Sequence, residues 1–273
     1  MTLIVGIKCS GGVALVGDTA AAVETPNGLS TVHQMRKIQV CEEACSALGV
    51  AGSAALAKEY GFALRAALNK NILSHADLDS QAALQRVRDF FIEAITPEVT
   101  IERTRAEAEK RKLNLDHLQG EALIATIVQG ESRLFHIDAK LSPFELNGES
   151  PYWLIGDGRE AGIPFFQYLR SEFICGDPPT LAEGVVTALW TLRFAIKVQH
   201  RNIGGTTQVV TLSDDGTIRD YDRNELLESL EIIGRAEAAF HDVQRTMRGA
   251  PEVETSLPSM PRARHSRQMG THE

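Results

Sequence analysis

The sequence predicts an α+β chain folded as a four-layer αββα sandwich, two antiparallel sheets flanked by helices. Three observations carry this expectation. Runs of alternating apolar residues bounded by glycine turns open the chain and return near its middle. Each run is followed by a pair of segments with helical periodicity. Helix pairs between antiparallel strand runs cannot build a doubly wound parallel sheet, whereas two stacked sheets with helices outside bury every apolar face.

The first elements read as a hairpin: Leu3 to Cys9, a Ser10-Gly11-Gly12 turn, and Val13 to Val16 running into Gly17-Asp18. Pro26-Asn27-Gly28 marks a further turn, and Lys37 to Val40 and Ala47 to Gly52 read as strands. Past Gly52-Ser53, Leu56, Tyr60, Leu64 and Leu68 recur every fourth residue. A second stripe, Leu84, Val87, Phe91 and Ala94, is expected to close at Pro97. Residues 98 to 117 are dense in charge, with Glu107 and Arg111 four apart, and read as an exposed helical extension. Ala122 to Gln129, Arg133 to Asp138 and Tyr152 to Ile155 are expected strands, with turns at Gly130-Glu131 and Asn147-Gly148. Two helices follow over 160–172 and 181–199, the second with the stripe Val185, Leu189, Leu192, Ile196. Gln208 to Leu212 and Thr217 to Tyr221 flank Ser213-Asp214-Asp215-Gly216 as a hairpin, and a last helix covers about 223 to 246. One domain over 1–247 and a flexible C-terminal tail over 248–273, with Pro251, Pro258, Pro261 and several arginines, complete the expected organisation.

Composition excludes several classes of function. The 273 residues are 43% hydrophobic and 23% charged, values of an ordinary globular protein. With 28 Lys and Arg against 36 Asp and Glu, the net charge of −8 argues against a nucleic-acid partner. No apolar run reaches the roughly 20 residues of a membrane span and no signal-peptide layout opens the chain, so the cytoplasm is the expected compartment. Cys9, Cys41, Cys45 and Cys175 form no CxxC pair and the histidines no HExxH, so reduced thiols and no metal are expected. Gly156-Asp157-Gly158-Arg159-Glu160-Ala161-Gly162 looks superficially like a dinucleotide loop, but its third glycine comes one position late.

Chemistry concentrates at the start. Thr2 follows the initiator Met, and a side chain this small permits Met1 removal. The new terminus then joins a hydroxyl to a free α-amine, a nucleophile carrying its own base, with a reference amine pKa of about 7.7 to 8.0. Lys37 is expected to start a strand in the same sheet as Thr2, and Asp18 ends the strand paired with that of Thr2. An ammonium held between a carboxylate and a hydroxyl lowers the hydroxyl pKa. Gly52 sits where a strand is expected to become a helix, so its N–H is a candidate oxyanion donor.

Thr2-Leu3-Ile4-Val5-Gly6-Ile7, Gly11-Gly12-Val13-Ala14-Leu15-Val16-Gly17-Asp18-Thr19, Lys37-Ile38 and Ala51-Gly52-Ser53-Ala54-Ala55 together resemble the β subunits of the 20S proteasome and the ring peptidases of the HslV type, which are N-terminal nucleophile hydrolases. The resemblance runs through residues 2 to 245 and is strongest over the first sixty. It implies that Thr2 is the nucleophile, Asp18 and Lys37 its acidic and basic partners, and Gly52 the oxyanion glycine. Val50 matches a position lining the substrate side-chain pocket and implies a medium apolar pocket. Where the family has Ser-Gly beside the nucleophile, this chain has Asp157-Gly158, and the acidic residue and serine of its late Gly-Gly segment fall near His200 and Ile203, before Gly204-Gly205. No arginine follows the aspartate in Gly17-Asp18-Thr19-Ala20. Asp157 either slows proton shuttling by raising the amine pKa or takes over the serine's orienting task. These departures point towards the beta-proteobacterial proteasome homologue or the ancestral-beta-subunit, Anbu, type.

The resemblance implies a threonine endopeptidase with no cofactor, assembled with itself into a ring or stacked rings and acting on peptides or unfolded proteins. Two alternatives stay open, an assembling shell with little peptidase activity and a small-molecule amidohydrolase. No ATPase partner is identified.

Overall fold

The computed structural model describes residues 2–24, 30–69, 80–174, 178–199 and 203–249. In chain order the elements are β1 (Ile4–Cys9), β2 (Gly12–Asp18), β3 (Ala20–Glu24), β4 (Ser30–Gln34), β5 (Ile38–Cys41), β6 (Ser46–Gly52), α1 (Ala54–Asn69) and α2 (Ser80–Ala108). They continue with β7 (Gly120–Val128), β8 (Glu131–Ile137), β9 (Pro143–Leu146), β10 (Tyr152–Ile155), α3 (Arg159–Phe173), α4 (Leu181–Val198), β11 (Thr207–Ser213), β12 (Ile218–Tyr221) and α5 (Leu227–Gly249). The fold is α+β, with antiparallel sheets of order β10-β1-β2-β11-β12 and β5-β6-β7-β8-β9 and a separate β3-β4 ribbon. No helix among the described residues is long and apolar enough to cross a membrane.

Local chemistry explains the hairpins. Gly11 turns β1 into β2 at φ +79°, a conformation costly for other residues, and Cys9 pairs with Gly12. Asp215 and Gly216 do the same between β11 and β12, where the Thr217 amide donates to the Asp215 carboxylate at 2.8 Å. Thr180 and Glu183 form a reciprocal capping box that starts α4.

Two buried clusters follow from strand alternation. Ile4, Val13, Leu15, Ala47, Leu123, Leu134 and Val210 come from both sheets and form one continuous core between them. On the other side of the second sheet, Leu48, Val50 and Phe135 meet Leu56 and Tyr60 of α1 and Val87 and Phe91 of α2. The Tyr60 and Phe91 rings lie 4.1 Å apart between centroids. Helix α4 contacts β1, β2 and β11, and α3 contacts α4 and β10. Side chains at Leu64 and Leu68 and the Pro26-Asn27-Gly28 turn lie outside the described residues.

Helix α2 differs from expectation. It runs through Pro97 to Ala108 instead of closing at the proline. Proline forfeits the backbone donor that would reach the Glu93 carbonyl; the hydroxyls of Thr96, Thr100 and Thr104 bond other carbonyls, those of Ile92, Thr96 and Thr100, at 2.6, 2.8 and 3.0 Å. The expected Glu107–Arg111 pairing is replaced: Arg111 lies past the helix end, and its guanidinium takes Glu102 and Glu109, each at 2.6 Å. Strands β3, β4 and β9 are additional to the expected set.

The chain divides into two units, residues 1–233 and 234–273, with the boundary inside α5. Of the second unit only 234–249 are described, a helical segment with Phe240, Val243 and Met247 exposed.

Candidate active site

Asp18 is the centre from which the site is assembled. It ends β2, is fully buried, and accepts three hydrogen bonds. Its Oδ1 takes the Leu3 amide at 2.9 Å and the Lys37 ammonium at 2.8 Å, and its Oδ2 takes the Gly204 amide at 3.2 Å. The residue after Thr2 and the lysine therefore share one carboxylate oxygen. The Asp18 amide in turn donates to the Leu3 carbonyl at 3.2 Å, continuing the β1–β2 ladder up to Thr2.

Lys37 corrects the sequence expectation. It does not start a strand in the sheet of Thr2; it enters β5, an edge strand of the other sheet, and reaches across to Asp18. The bridging is made by Gln208 of β11, which sequence reasoning missed. Its Oε1 accepts the Lys37 and Ile38 amides at 3.2 and 3.0 Å, and its Nε2 donates to the Ile38 carbonyl at 2.6 Å. A glutamine only 6% exposed within an apolar strand run was the available signal, because such an amide must find partners in the interior. Burial holds the Lys37 ammonium below the ordinary lysine value of 10.5, against the opposing pull of Asp18 and, more weakly, Asp157.

Thr2 itself is 7% exposed and is gripped by its backbone. The Gly158 amide donates to the Thr2 carbonyl at 3.2 Å. Gly156, at φ +90°, lies so close that a Cβ there would stand 2.2 Å from the Thr2 carbonyl oxygen. A Cβ on Gly158 would fall 2.3 Å from Ile203 Cδ1, and one on Gly162 2.8 Å from Leu154. The glycines of this loop admit the chain's own start, which accounts for a spacing unsuited to a dinucleotide.

A cavity of about 470 Å³ opens at Thr2. Gly52, Ser53, Gly156 and Asp157 line it beside the threonine, so all five candidate residues, Thr2, Asp18, Lys37, Gly52 and Asp157, gather at one end of the strands. Gly52 is the last residue of β6, at φ +155°, paired with Gly120. The helix starts two residues on, where the Ser53 hydroxyl caps the Leu56 amide at 3.1 Å. Gly52 thus precedes the helix start and is not itself one of the helix's first donors. Val50 departs from the expectation altogether: it is buried beneath α1 and does not line the cavity. Among the described residues the apolar lining side chains are Ala51 and Ala139, and the rest of the wall is glycine, polar or charged. His200 lies outside the described residues, and Ile203 is buried.

A larger groove of about 680 Å³, lined by Arg36, Cys41, Glu42, Glu43 and Asp220 among others, holds none of these residues. Burial pushes the Cys9 thiol up to about 12, too high for a nucleophile at neutral pH. Cys41 and Cys45 are free thiols, and Cys175 lies outside the described residues. Among the described residues no three His, Cys, Asp or Glu side chains converge in a manner suited to a metal ion.

No family model matches the chain, and no curated protein matches it in sequence. Solved structures do match. Anbu (ancestral beta-subunit) from Yersinia bercovieri is 14% identical, with 92% of this chain and 99% of that one aligned at a TM-score of 0.63. The helical assembly of the Anbu complex from Pseudomonas aeruginosa aligns over 96% of this chain and 99% of that one, at 14% identity and a TM-score of 0.66. A Gly-1 mutant of Anbu from Hyphomicrobium sp. strain MC1 is 16% identical over 92% and 98%, with a TM-score of 0.63. Identity this low speaks for the fold alone. The chain has the fold of the Anbu (ancestral beta-subunit) proteins.

Proposed function

We propose that this chain is a threonine-type peptidase in which Thr2, freed by removal of Met1, hydrolyses peptide bonds inside a self-assembled ring in the cytoplasm. On this reading residues 1–247 form the hydrolase domain, a four-layer αββα sandwich, and 248–273 a flexible tail. The observation that carries the proposal is the shared Asp18 oxygen, which ties a buried lysine to the residue next to Thr2 at the mouth of a cavity. A desolvated ammonium in that place has little structural reason to exist, since a buried ion pair contributes little net stability. Perturbed lysines in clefts mark functional sites far more often.

The residues divide the work. As Thr2 Oγ bonds to the scissile carbonyl carbon, its proton passes to the free α-amine, and the Lys37 charge stabilises the forming alkoxide. The oxyanion is met by donors at Gly52. The C–N bond then breaks, the leaving amine takes the proton from the Thr2 ammonium, and an ester remains. Water adds to that ester, again losing a proton to the amine, and the acid departs as Thr2 Oγ regains its hydrogen. No metal or organic cofactor enters.

Self-assembly is supported by likeness to the Pseudomonas aeruginosa Anbu complex, which forms a helical assembly. A second reading, a shell with little turnover, is favoured by Asp157, whose carboxylate stands at the cavity where the resembling family has a serine. One experiment separates the two. Intact mass before and after treatment with a threonine-directed covalent inhibitor is expected to show loss of Met1 and one adduct per chain, and Thr2→Ala is expected to assemble without forming the adduct. Assembly with neither adduct nor turnover would leave the shell.

A further inference from the structure

The walls of the Thr2 cavity carry mostly negative charge. Among the described residues Asp116, Glu121, Asp157 and Glu160 line it against a single cation, Arg159. That cation is already neutralised, because its Nη1 donates to both Glu121 carboxylate oxygens, at 2.7 and 3.0 Å. The fork ties the start of α3 to β7 and so joins the two sides of the cavity. Asp116, Asp157 and Glu160 are left without an ion pair among the described residues.

Two further observations turn these carboxylates into a specificity argument. First, among the described residues the cavity offers no large apolar side chain: Ala51 and Ala139 are its apolar lining residues, so burial of a leucine or phenylalanine side chain gains little there. Second, Thr2 is more than nine-tenths buried, and among the described residues its hydroxyl has no hydrogen-bond partner although it lines this same cavity. The hydroxyl is open to the cavity rather than sealed in protein, so it is available to a bound molecule. One carboxylate suffices to balance the α-ammonium of a processed Thr2. Three exposed, unpaired carboxylates exceed that need and leave a negative field, screened by water and salt, for a cationic side chain to enter.

We infer that the site selects peptides carrying lysine or arginine beside the scissile carbonyl. This rests on the reading of Thr2 as the nucleophile. Asp116 and Glu160 act as specificity residues, while the field of Asp157 also reaches Lys37.

The test uses the full-length assembled protein and three peptide vinyl sulfones differing only in the residue next to the warhead: lysine, leucine or glutamate. The threonine oxygen adds to the terminal vinyl carbon and the hydroxyl proton ends on the neighbouring carbon, so each event adds the whole probe mass to Thr2. The lysine probe is expected to label about tenfold faster than the leucine probe at low salt, and the glutamate probe slowest. The advantage, read as the ratio of lysine-probe to leucine-probe labelling, should shrink as salt rises and collapse in the Asp116→Asn/Glu160→Gln variant. Leucine labelling as fast as or faster than lysine overturns the inference and leaves the nucleophile assignment standing. Failure of all three probes to label a folded, Met1-free protein overturns both.

Discussion

Twice among the described residues a lysine in or beside one sheet crosses to a polar group of the other, and the two crossings differ in almost everything but residue type. At the Thr2 end, Lys37 meets Asp18 at 2.8 Å with side chains 2% and 0% exposed. At the opposite end of the same strands, Lys8 of β1 donates to Ser132 of β8 at 2.9 Å, and Ser132 donates to Asp214 at 2.5 Å, with the lysine 21% and the aspartate 43% exposed. Water decides the difference. For Asp214, burial is the largest single influence and raises the pKa, but the Ser132 hydroxyl and amide and Lys8 together outweigh it, so the carboxyl lies below its ordinary 3.8. For Lys37, desolvation outweighs its partner, and the ammonium is held under tension. The wet crossing ties the sheets together; the dry one stores a perturbed charge beside a candidate nucleophile.

The largest expected effect comes from breaking the dry pair. Lys37→Met leaves Asp18 buried with only two amide partners and should destabilise the fold by about 3 to 5 kcal/mol. It should also cut turnover by about a hundredfold or more, as loss of a comparable transition-state stabiliser does. The double variant Lys37→Met/Asp18→Asn removes the orphaned charge, so denaturant unfolding should recover most of the stability while Thr2 labelling stays lost. Recovery of both would make Lys37 merely structural. The sign with pH is also checkable. Because the folded lysine pKa lies below 10.5, the unfolded chain holds its proton where the native chain has released it. Stability should therefore climb as pH rises from the folded value towards 10.5, and the double variant should lack that climb.

Gly156→Ala ranks next. Its Cβ would stand 2.2 Å from the Thr2 carbonyl oxygen at a φ of +90°, so backbone must shift. A loss of roughly 1 to 3 kcal/mol in stability is expected, with Thr2 labelling falling much further than the melting temperature alone accounts for. A smaller effect is expected for Gln208→Leu, which strips the Lys37 and Ile38 amides of their acceptor at a cost of about 1 to 3 kcal/mol. Labelling should slow through displacement of Lys37, and a normal rate would remove Gln208 from the site.

The wet crossing should yield least. Lys8→Met is expected to cost under about 1 kcal/mol and leave Thr2 chemistry unchanged. Asp214 contributes stability at pH values above its unfolded pKa near 3.8, lost as pH falls through the lower folded value. Urea melts at pH 5 and pH 3 should show that loss, and Asp214→Asn should abolish it.

Much of this architecture is local and was therefore legible in the amino-acid order. Gly11, Gly216 and the alternation around them specify the β1–β2 and β11–β12 hairpins, and the stripes through Leu56 and Tyr60 and through Leu189 and Leu192 specify α1 and α4. The gathering of Thr2, Asp18, Lys37, Gly52 and Asp157 was legible only through resemblance, since spacing alone does not bring residues 2, 37 and 157 together.

Only the tertiary structure decided the rest. Lys37 was expected in the sheet of Thr2 because β5 follows β1 and β2 closely in sequence, yet strand order depends on long-range pairing that no local pattern encodes. Val50 lies in the core because the β6 pleat turns it towards α1, and α2 runs on through Pro97 to Ala108. The Thr2 cavity is acidic because the stretch before β7 and the start of α3, about 40 residues apart in the chain, converge where the Arg159–Glu121 fork joins them. Turn chemistry and periodicity act over a few residues and are written in order along the chain. Burial of charge and the lining of a cavity arise only when distant segments share one desolvated space.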